Sequence, residues 1–185
     1  MGRPKQLLPI GNKPLLRHVA ETALRLPAHP TIVVLGASAA RIRSCLDELP
    51  VQVVVNEEWT EGIGSSVRVG IEALTKLSPA ANGVIIALGD QPTFSAAHVA
   101  LLLETHRQTG RTIVASQYCG YLQPPAFFAA RHFGALQGLY GERGARSLFQ
   151  TYADEVATVA ADGLCDLDTP TDYADFLKGE KNICT

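Results

Sequence analysis

The chain has 185 residues, 46% of them hydrophobic and 18% charged, with a formal net charge of −2. That composition fits one globular domain over residues 1–185, long enough to bury a sizeable core, and excludes a general nucleic-acid or membrane-surface binder. No apolar stretch reaches the ~20 residues of a membrane span, and no signal-peptide pattern is present.

Short β-branched runs alternate with helix-period segments along the chain. "TIVVLG" (Thr31 to Gly36), "VQVVVN" (Val51 to Asn56), "GVIIALGD" (Gly83 to Asp90) and "RTIVAS" (Arg111 to Ser116) are nearly continuous in apolar character. Strands buried on both faces of a parallel sheet read this way. Helices are predicted over Pro14 to Leu26, Ala39 to Leu49, Ser65 to Leu77 and Ser95 to Gln108, the last capped by Ser95 and closed by Gly110. "QYCGYLQPPAFFAA" reads as a hairpin or irregular excursion, because Pro124–Pro125 disfavours a central strand. Two short helices, a strand at Glu155 to Ala160 and a final helix from "DTPTDYADFLK" follow, with Thr169, Pro170 and Asp172 forming a capping signature. The pattern predicts a Rossmann-like α/β domain of three layers, helix–sheet–helix, around a mostly parallel sheet.

Ligands in such sheets bind beyond the carboxyl ends of the strands, so chemistry is sought in those loops. Asp90, in "LGDQP", ends the most apolar strand and can hold Mg²⁺, which takes one or two carboxylates plus phosphate oxygens; a polar turn residue would look the same. Arg3 and Lys5, in "MGRPKQLLP", stand before a helical run after Gly2, where a triphosphate could meet side chain and backbone N–H together. A lone lysine before an apolar run is more often solvated surface. "GIGSSVRVGI" brings Gly62, Ser65 and Ser66 into a helix start, facing a base or phosphate unless Ser65 is simply the N-cap. Asp166 and Asp168, in "CDLDTP", precede the last helix as metal or acceptor ligands, or as dipole-favouring acids. Arg143 and Arg146, in "GERGARSLF", could meet an anionic acceptor. The cysteines Cys45, Cys119, Cys165 and Cys184 lack CxxC spacing, and the histidines form no HxxxH or HExxH pair. Neither structural zinc nor a disulfide framework is expected, and the expected location is the reducing cytoplasm.

Taken in order, "MGRPKQLLP", "VVLGASAARI", "VVVNEEWTEGIGSSVRVGI", "GDQP", "GERGAR" and "DLDTPTDY" resemble the molybdenum cofactor nucleotidyltransferases, especially the cytidylyltransferase branch. The resemblance covers nearly the whole chain. It implies that Gly2, Arg3 and Lys5 lie along the triphosphate. Gly62, Ser65 and Ser66 would lie near base and ribose, and Asp90 would bind Mg²⁺. Asp166 and Asp168 would lie near metal and acceptor, with Asp168 a second metal ligand, and Arg146 would face the pterin. Pro4 stands directly before Lys5 where the guanylyl branch usually carries aspartate, so CTP is expected over GTP. Glu142 replaces a common aspartate.

The implied reaction is attack by the terminal phosphate of molybdopterin on the α-phosphorus of CTP, with loss of pyrophosphate. That phosphate is already anionic, so Lys5 and Asp90 with Mg²⁺ suffice and no general base is needed. Molybdoenzyme maturation proteins would be the partners. Alternatives are transfer to a sugar phosphate or another phospho-alcohol, and a non-catalytic cofactor escort. One departure matters. The family pattern opens with a strand and a loop of the type LAAGxSxR ahead of "MG", and neither stands before Met1. The expectation is that a first central strand of about fifteen residues with its loop is missing and is encoded upstream. The chain would then be unstable or bind CTP poorly unless another segment fills the gap.

Overall fold

The computed structural model describes residues 4–161, 163 and 166–179. In order, the elements are β1 (Pro9–Ile10), β2 (Lys13–Pro14), α1 (Leu15–Ala23), β3 (Ile32–Leu35), α2 (Ala39–Arg43), β4 (Gln52–Val55), α3 (Ile63–Leu77) and β5 (Gly83–Ile86). Then come α4 (Ala96–Thr109), β6 (Ile113–Tyr118), β7 (Tyr121–Ala129), α5 (Phe133–Gln137), α6 (Arg146–Thr151), β8 (Val156–Ala160) and α7 (Pro170–Lys178). Local chemistry sets several ends. The Ser95 hydroxyl accepts from His98 N–H, Gly110 closes α4 in the left-handed conformation, and Thr169 with Asp172 completes a capping box at α7.

The layers follow from strand alternation. Val84, Ile86, Ile113, Ala115, Ala126 and Phe128 point to one face, where α3, α5 and α6 bring Ile71, Leu74, Leu136 and Leu148. Ile85, Val114 and Phe127 point to the other, toward α4 and its Leu102. There α1 and α4 also meet through Leu15, Val19 and Val99, which pack with Phe94 and Leu167. A period of two on the strands thus divides one apolar set between two helical layers, as the three-layer reading expects. Among the described residues no helix is long and apolar enough to cross a membrane.

The sheet is divided. β3 pairs with β4 in parallel, and a separate four-stranded sheet runs in the order β5-β7-β6-β8. Within it β6 and β8 are parallel, while β7 is antiparallel to both β5 and β6. Between β3 and β5 lies an apolar slot of about 590 Å³, walled by those strands and by α1 and α3. It explains why Ile32 to Val34 and Val84 to Ile86 are only partly buried in spite of helices on both faces.

Two sequence expectations are corrected. Pro124–Pro125 does not keep its segment out of the sheet interior, for β7 lies between β5 and β6. The register against β6 shifts between Ala115 and Ser116, passing from Ala126 to Gln123, and the two prolines stand in that bulge. Their carbonyls still accept: Ser116 Oγ donates to Pro125 O at 2.5 Å and Gln91 Nε2 to Pro124 O at 3.2 Å. A bulge is where a sheet tolerates residues that cannot donate. Second, Cys119 is disulfide-bonded where the cysteine spacing led to no expected disulfide framework, whereas Cys45 is free and buried.

Two histidines lie in the frame. His132 is 2% exposed, and its Nε2 donates to Thr112 Oγ1 (2.8 Å), which donates on to Glu155. Burial lowers its pKa against the opposing pull of Glu155, and burial likewise lowers that of His98. The unfolded chain takes up protons near pH 6.5 that the folded chain refuses, so stability is full above that value and falls as pH drops through it. Urea midpoints should decline from pH 7.5 to 5.5, and His132→Gln should flatten the decline. An equal slope in the variant would remove His132 from the account.

Candidate functional site

The loop leaving β5 carries Asp90 to the strand-end face of the sheet. Lys5, in the short 3₁₀ turn Lys5–Leu7, places its ammonium 2.5 Å from Asp90 Oδ2 and 2.8 Å from Asp168 Oδ1. Burial alone would depress the lysine, but the hydrogen bonds to Asp168 and Asp90 outweigh it and hold its pKa above the ordinary value. It is therefore an ammonium at neutral pH. Asp168 is held by its surroundings: Leu167 N–H donates to Asp90 O at 3.2 Å, and Asp168 N–H to Asp172 Oδ2 at 3.1 Å. The hydroxyl of Tyr173 on α7 reaches Pro9 O at 2.7 Å, tying the two ends of the chain around the site. Asp90 keeps one oxygen in reserve. Its Oδ1 is buried with no hydrogen-bond partner among the described residues, an arrangement that costs free energy unless something else meets it.

Gln91, fully buried, was not assigned a role from the sequence. Its amide nitrogen donates to Asp166 Oδ1 at 2.8 Å and to Pro124 O at 3.2 Å, joining the β5 loop, the β7 bulge and the acidic loop. Both partners are acceptors only, which fixes the amide orientation. Burial raises the Asp166 carboxyl above its usual range, opposed by that hydrogen bond. Arg146 is close enough to act on Asp166, and its Nη2 donates to Gln123 Oε1 at 3.2 Å. An open hollow of about 310 Å³ lies beside it, lined by Glu142, Arg143, Arg146, Ser147 and Gln150.

The third part is the entry to α3. Gly62 has φ +101°, and a Cβ there would stand 2.5 Å from the Gly141 carbonyl carbon. A Cβ on Gly64 would meet the Tyr140 backbone at 2.7 Å, and Gly64 N–H donates to Gly141 O at 2.9 Å. These glycines let the α3 start seat against the loop that leads to Arg146. Arg68 locks the seat, bonding Leu139 O, Glu58 and Glu61. Ser65 is not the N-cap; Gly62 is. Ser65 lies buried beneath the loop, its hydroxyl taken up by Asn56 Nδ2 (2.8 Å) and Gly62 O (2.8 Å). Ser66 is partly buried and bonded by the same Asn56 amide at 3.0 Å. Asn56 is thus a second residue that sequence reasoning passed over, although it ends the "VVVN" run.

Lys5 meets Asp90 and Asp168 directly, Gln91 next to Asp90 holds Asp166, and Arg146 lies within reach of Asp166 while bonded to Gln123. Gly62 and Ser66 belong to the neighbouring loop that abuts Gly141. Gly2 and Arg3 lie outside the described residues. A cation held between two carboxylates, with a guanidinium on the far side of Asp166, suits phosphate groups on one side and a polar acceptor on the other.

Comparison with known proteins agrees with this frame. A family model described as the MobA-like NTP transferase domain matches residues 1–156. Nicotine blue oxidoreductase of Paenarthrobacter nicotinovorans is 39% identical over 109 residues, covering 58% of this chain and 51% of that protein. Purine catabolism protein PucB of Bacillus subtilis is 32% identical over 123 residues, covering 64% and 58%. The matched part spans a little over half the length of these relatives. Among solved structures, Rv0371c of Mycobacterium tuberculosis superposes with TM-score 0.79 at 30% identity over 96% of this chain and 91% of that one. The same mycobacterial protein has been solved in complex with manganese, at 29% identity and TM-score 0.79 over 96% of this chain and 93% of that one.

Proposed function

Because the chain belongs to the MobA-like NTP transferase family, we propose that it is a nucleotidyltransferase that moves CMP from CTP to the terminal phosphate of molybdopterin. The observation that carries this reading is Lys5 gripping Asp90 and Asp168 while the buried Asp90 Oδ1 has no hydrogen-bond partner among the described residues. An acceptor phosphate oxygen attacks the α-phosphorus, the bond from that phosphorus to the bridging oxygen breaks, and pyrophosphate leaves with the electron pair. The attacking oxygen carries no proton, so the protein need only position and neutralise. Lys5 meets the charge gathering on the phosphates, and Arg146 meets the acceptor's anionic or carbonyl oxygens. Asp166, held by Gln91, receives N–H donors of the acceptor.

The residues present fit a hard divalent cation. Asp90 offers a buried carboxylate oxygen that no donor among the described residues uses, and Asp168 a second carboxylate nearby. Among the described residues no group of three His, Cys, Asp or Glu side chains converges. Phosphate oxygens and water would complete the shell, the manner in which Mg²⁺ binds. Asp90 and Asp168 would hold it, and the manganese-bound relative supports the same class of ion. When bound, Mg²⁺ would supply further neutralisation of the triphosphate.

Pyrophosphate release measured with CTP and GTP in competition, with and without molybdopterin, tests the reading. CTP should be preferred in kcat/KM, because a pocket that hydrogen-bonds one base edge leaves buried groups unpaired with another. Equal or better use of GTP would reject the cytidylyl assignment and leave the reaction class standing. A second reading, a non-catalytic cofactor binder, is favoured by the slot between β3 and β5, which leaves the frame beside Asp90 unfilled. Tight molybdopterin binding without any pyrophosphate release would select it.

A further inference from the structure

Three consecutive residues of the acidic loop are tied to the loop that leaves β5. Asp166 Oδ1 accepts from Gln91 Nε2 at 2.8 Å, Leu167 N–H donates to Asp90 O at 3.2 Å, and Asp168 shares the Lys5 ammonium with Asp90. The last two ties end on Asp90 and Lys5, the side assigned above to the triphosphate. The first ends on Gln91, and among the described residues no other hydrogen-bond donor reaches the Asp166 carboxyl. Arg146 acts on Asp166 by charge without fixing its direction, since its own hydrogen bond goes to Gln123. Asp90 and Gln91 are neighbours in the chain, so a single peptide unit separates the two sides of the site.

Gln91 is not an ordinary core amide. It is wholly buried, and its Nε2 donates to both Asp166 and Pro124 O, yet its Oε1 has no hydrogen-bond partner among the described residues. An apolar side chain of the same length would fill the space without leaving a buried carbonyl unmet. It would not hold Asp166. Pro124 stands in the β7 bulge, which Ser116 Oγ fixes by donating to Pro125 O at 2.5 Å. The sheet interior thus anchors one hydrogen of the amide, and the other is aimed at the carboxyl.

We propose that Gln91 is the positioning residue of the acceptor side: it aims the Asp166 carboxylate at the N–H edge of the acceptor and couples that carboxylate to Asp90, so that triphosphate and acceptor strengthen each other's binding. The inference rests on the reading of Asp166 as an acceptor ligand given above. Gln91 itself touches neither substrate and acts through Asp166.

Dissociation constants for molybdopterin, with and without a non-hydrolysable CTP analogue, test it in the full chain without turnover. In the wild-type chain the analogue should tighten molybdopterin at least ~3-fold. Gln91→Met, similar in length but without a donor, should weaken molybdopterin ~10-fold or more and abolish that gain. Its affinity for the analogue alone should stay within ~3-fold, because Asp90 keeps its ties to Lys5 and Leu167. Asp166→Ala should weaken molybdopterin too, and adding Gln91→Met to it should change the constant by less than ~2-fold, since a residue acting through Asp166 has nothing left to act on. Losses that multiply in the double variant, or a gain that survives in Gln91→Met, overturn the proposal. Melting curves report that each variant folds. Should Gln91→Met not fold, the side-chain amide of Gln91, followed by NMR, decides. It should exchange ~10-fold more slowly than that of exposed Gln150 and speed up in Asp166→Ala. Equal exchange of the two amides, or no change in Asp166→Ala, overturns the proposal. A wild-type chain that binds no molybdopterin rejects the acceptor assignment instead, and the amide measurement still decides whether Gln91 holds Asp166.

Discussion

Asp90→Asn should lower the divalent-cation-dependent rate of pyrophosphate release by ~10²-fold or more, the scale of removing one electrostatic partner of the transition state. The change keeps shape and volume while taking away the charge that faces Lys5 at 2.5 Å and the unpartnered oxygen on the other side. The fold should survive, because the Asp90 backbone still accepts from Leu167 N–H. Lys5→Ala is expected to act on kcat and KM together. It removes a phosphate partner and leaves Asp90 and Asp168 facing each other without the cation between them. Steady-state kinetics with a melting curve for each variant decide it. Near-normal turnover in a folded Asp90→Asn protein would take that residue out of the chemistry.

Gly62→Ala should be the most damaging single-methyl change in the neighbouring loop. Its φ of +101° excludes an ordinary side chain, at roughly 1–3 kcal/mol, and the added carbon would lie 2.5 Å from backbone that cannot move independently. A Tm drop on the order of 5–10 °C follows for a domain of this size. Gly64→Ala should also destabilise, through the Tyr140 backbone at 2.7 Å, without the penalty of positive φ. Gly134→Ala is the control, since its Cβ would meet nothing within 4 Å and its φ is ordinary. Equal melting of Gly62→Ala and Gly134→Ala would mean that the loop yields at no cost.

What could be read from the sequence was local. The runs at Thr31 to Gly36 and Gly83 to Asp90 announced themselves because a strand with helices over both faces carries apolar residues in both directions. Ser95, Gly110, Thr169 and Asp172 did so because a cap is made within four residues of where it acts. The interior position of β7 was hidden, since its bulge depends on Ser116 Oγ accepting His98 Nε2 and donating to Pro125 O. Gln91 was hidden for a similar reason, as its partner Asp166 lies 75 positions away. Ser65 read as a cap because hydroxyl and helix start are adjacent in sequence, yet Gly62 takes the cap and Asn56 takes the hydroxyl. Lys5, Asp90 and Asp168 were singled out by residue type and by the resemblance, whereas their meeting at one point is a property of the folded chain.

The ion pair between Lys5 and Asp168 closes a circuit of 163 sequence positions. No fragment of the chain can carry the site in miniature. Its parts come from the first turn, the middle of the sheet and the approach to the last helix, and they converge only when all three have docked. Loop closure of that length is entropically slow to nucleate, so competence for chemistry should arrive last during refolding. The fraction of molecules able to release pyrophosphate would then count fully folded ones, and collapsed intermediates rich in helix and sheet would be silent in the assay.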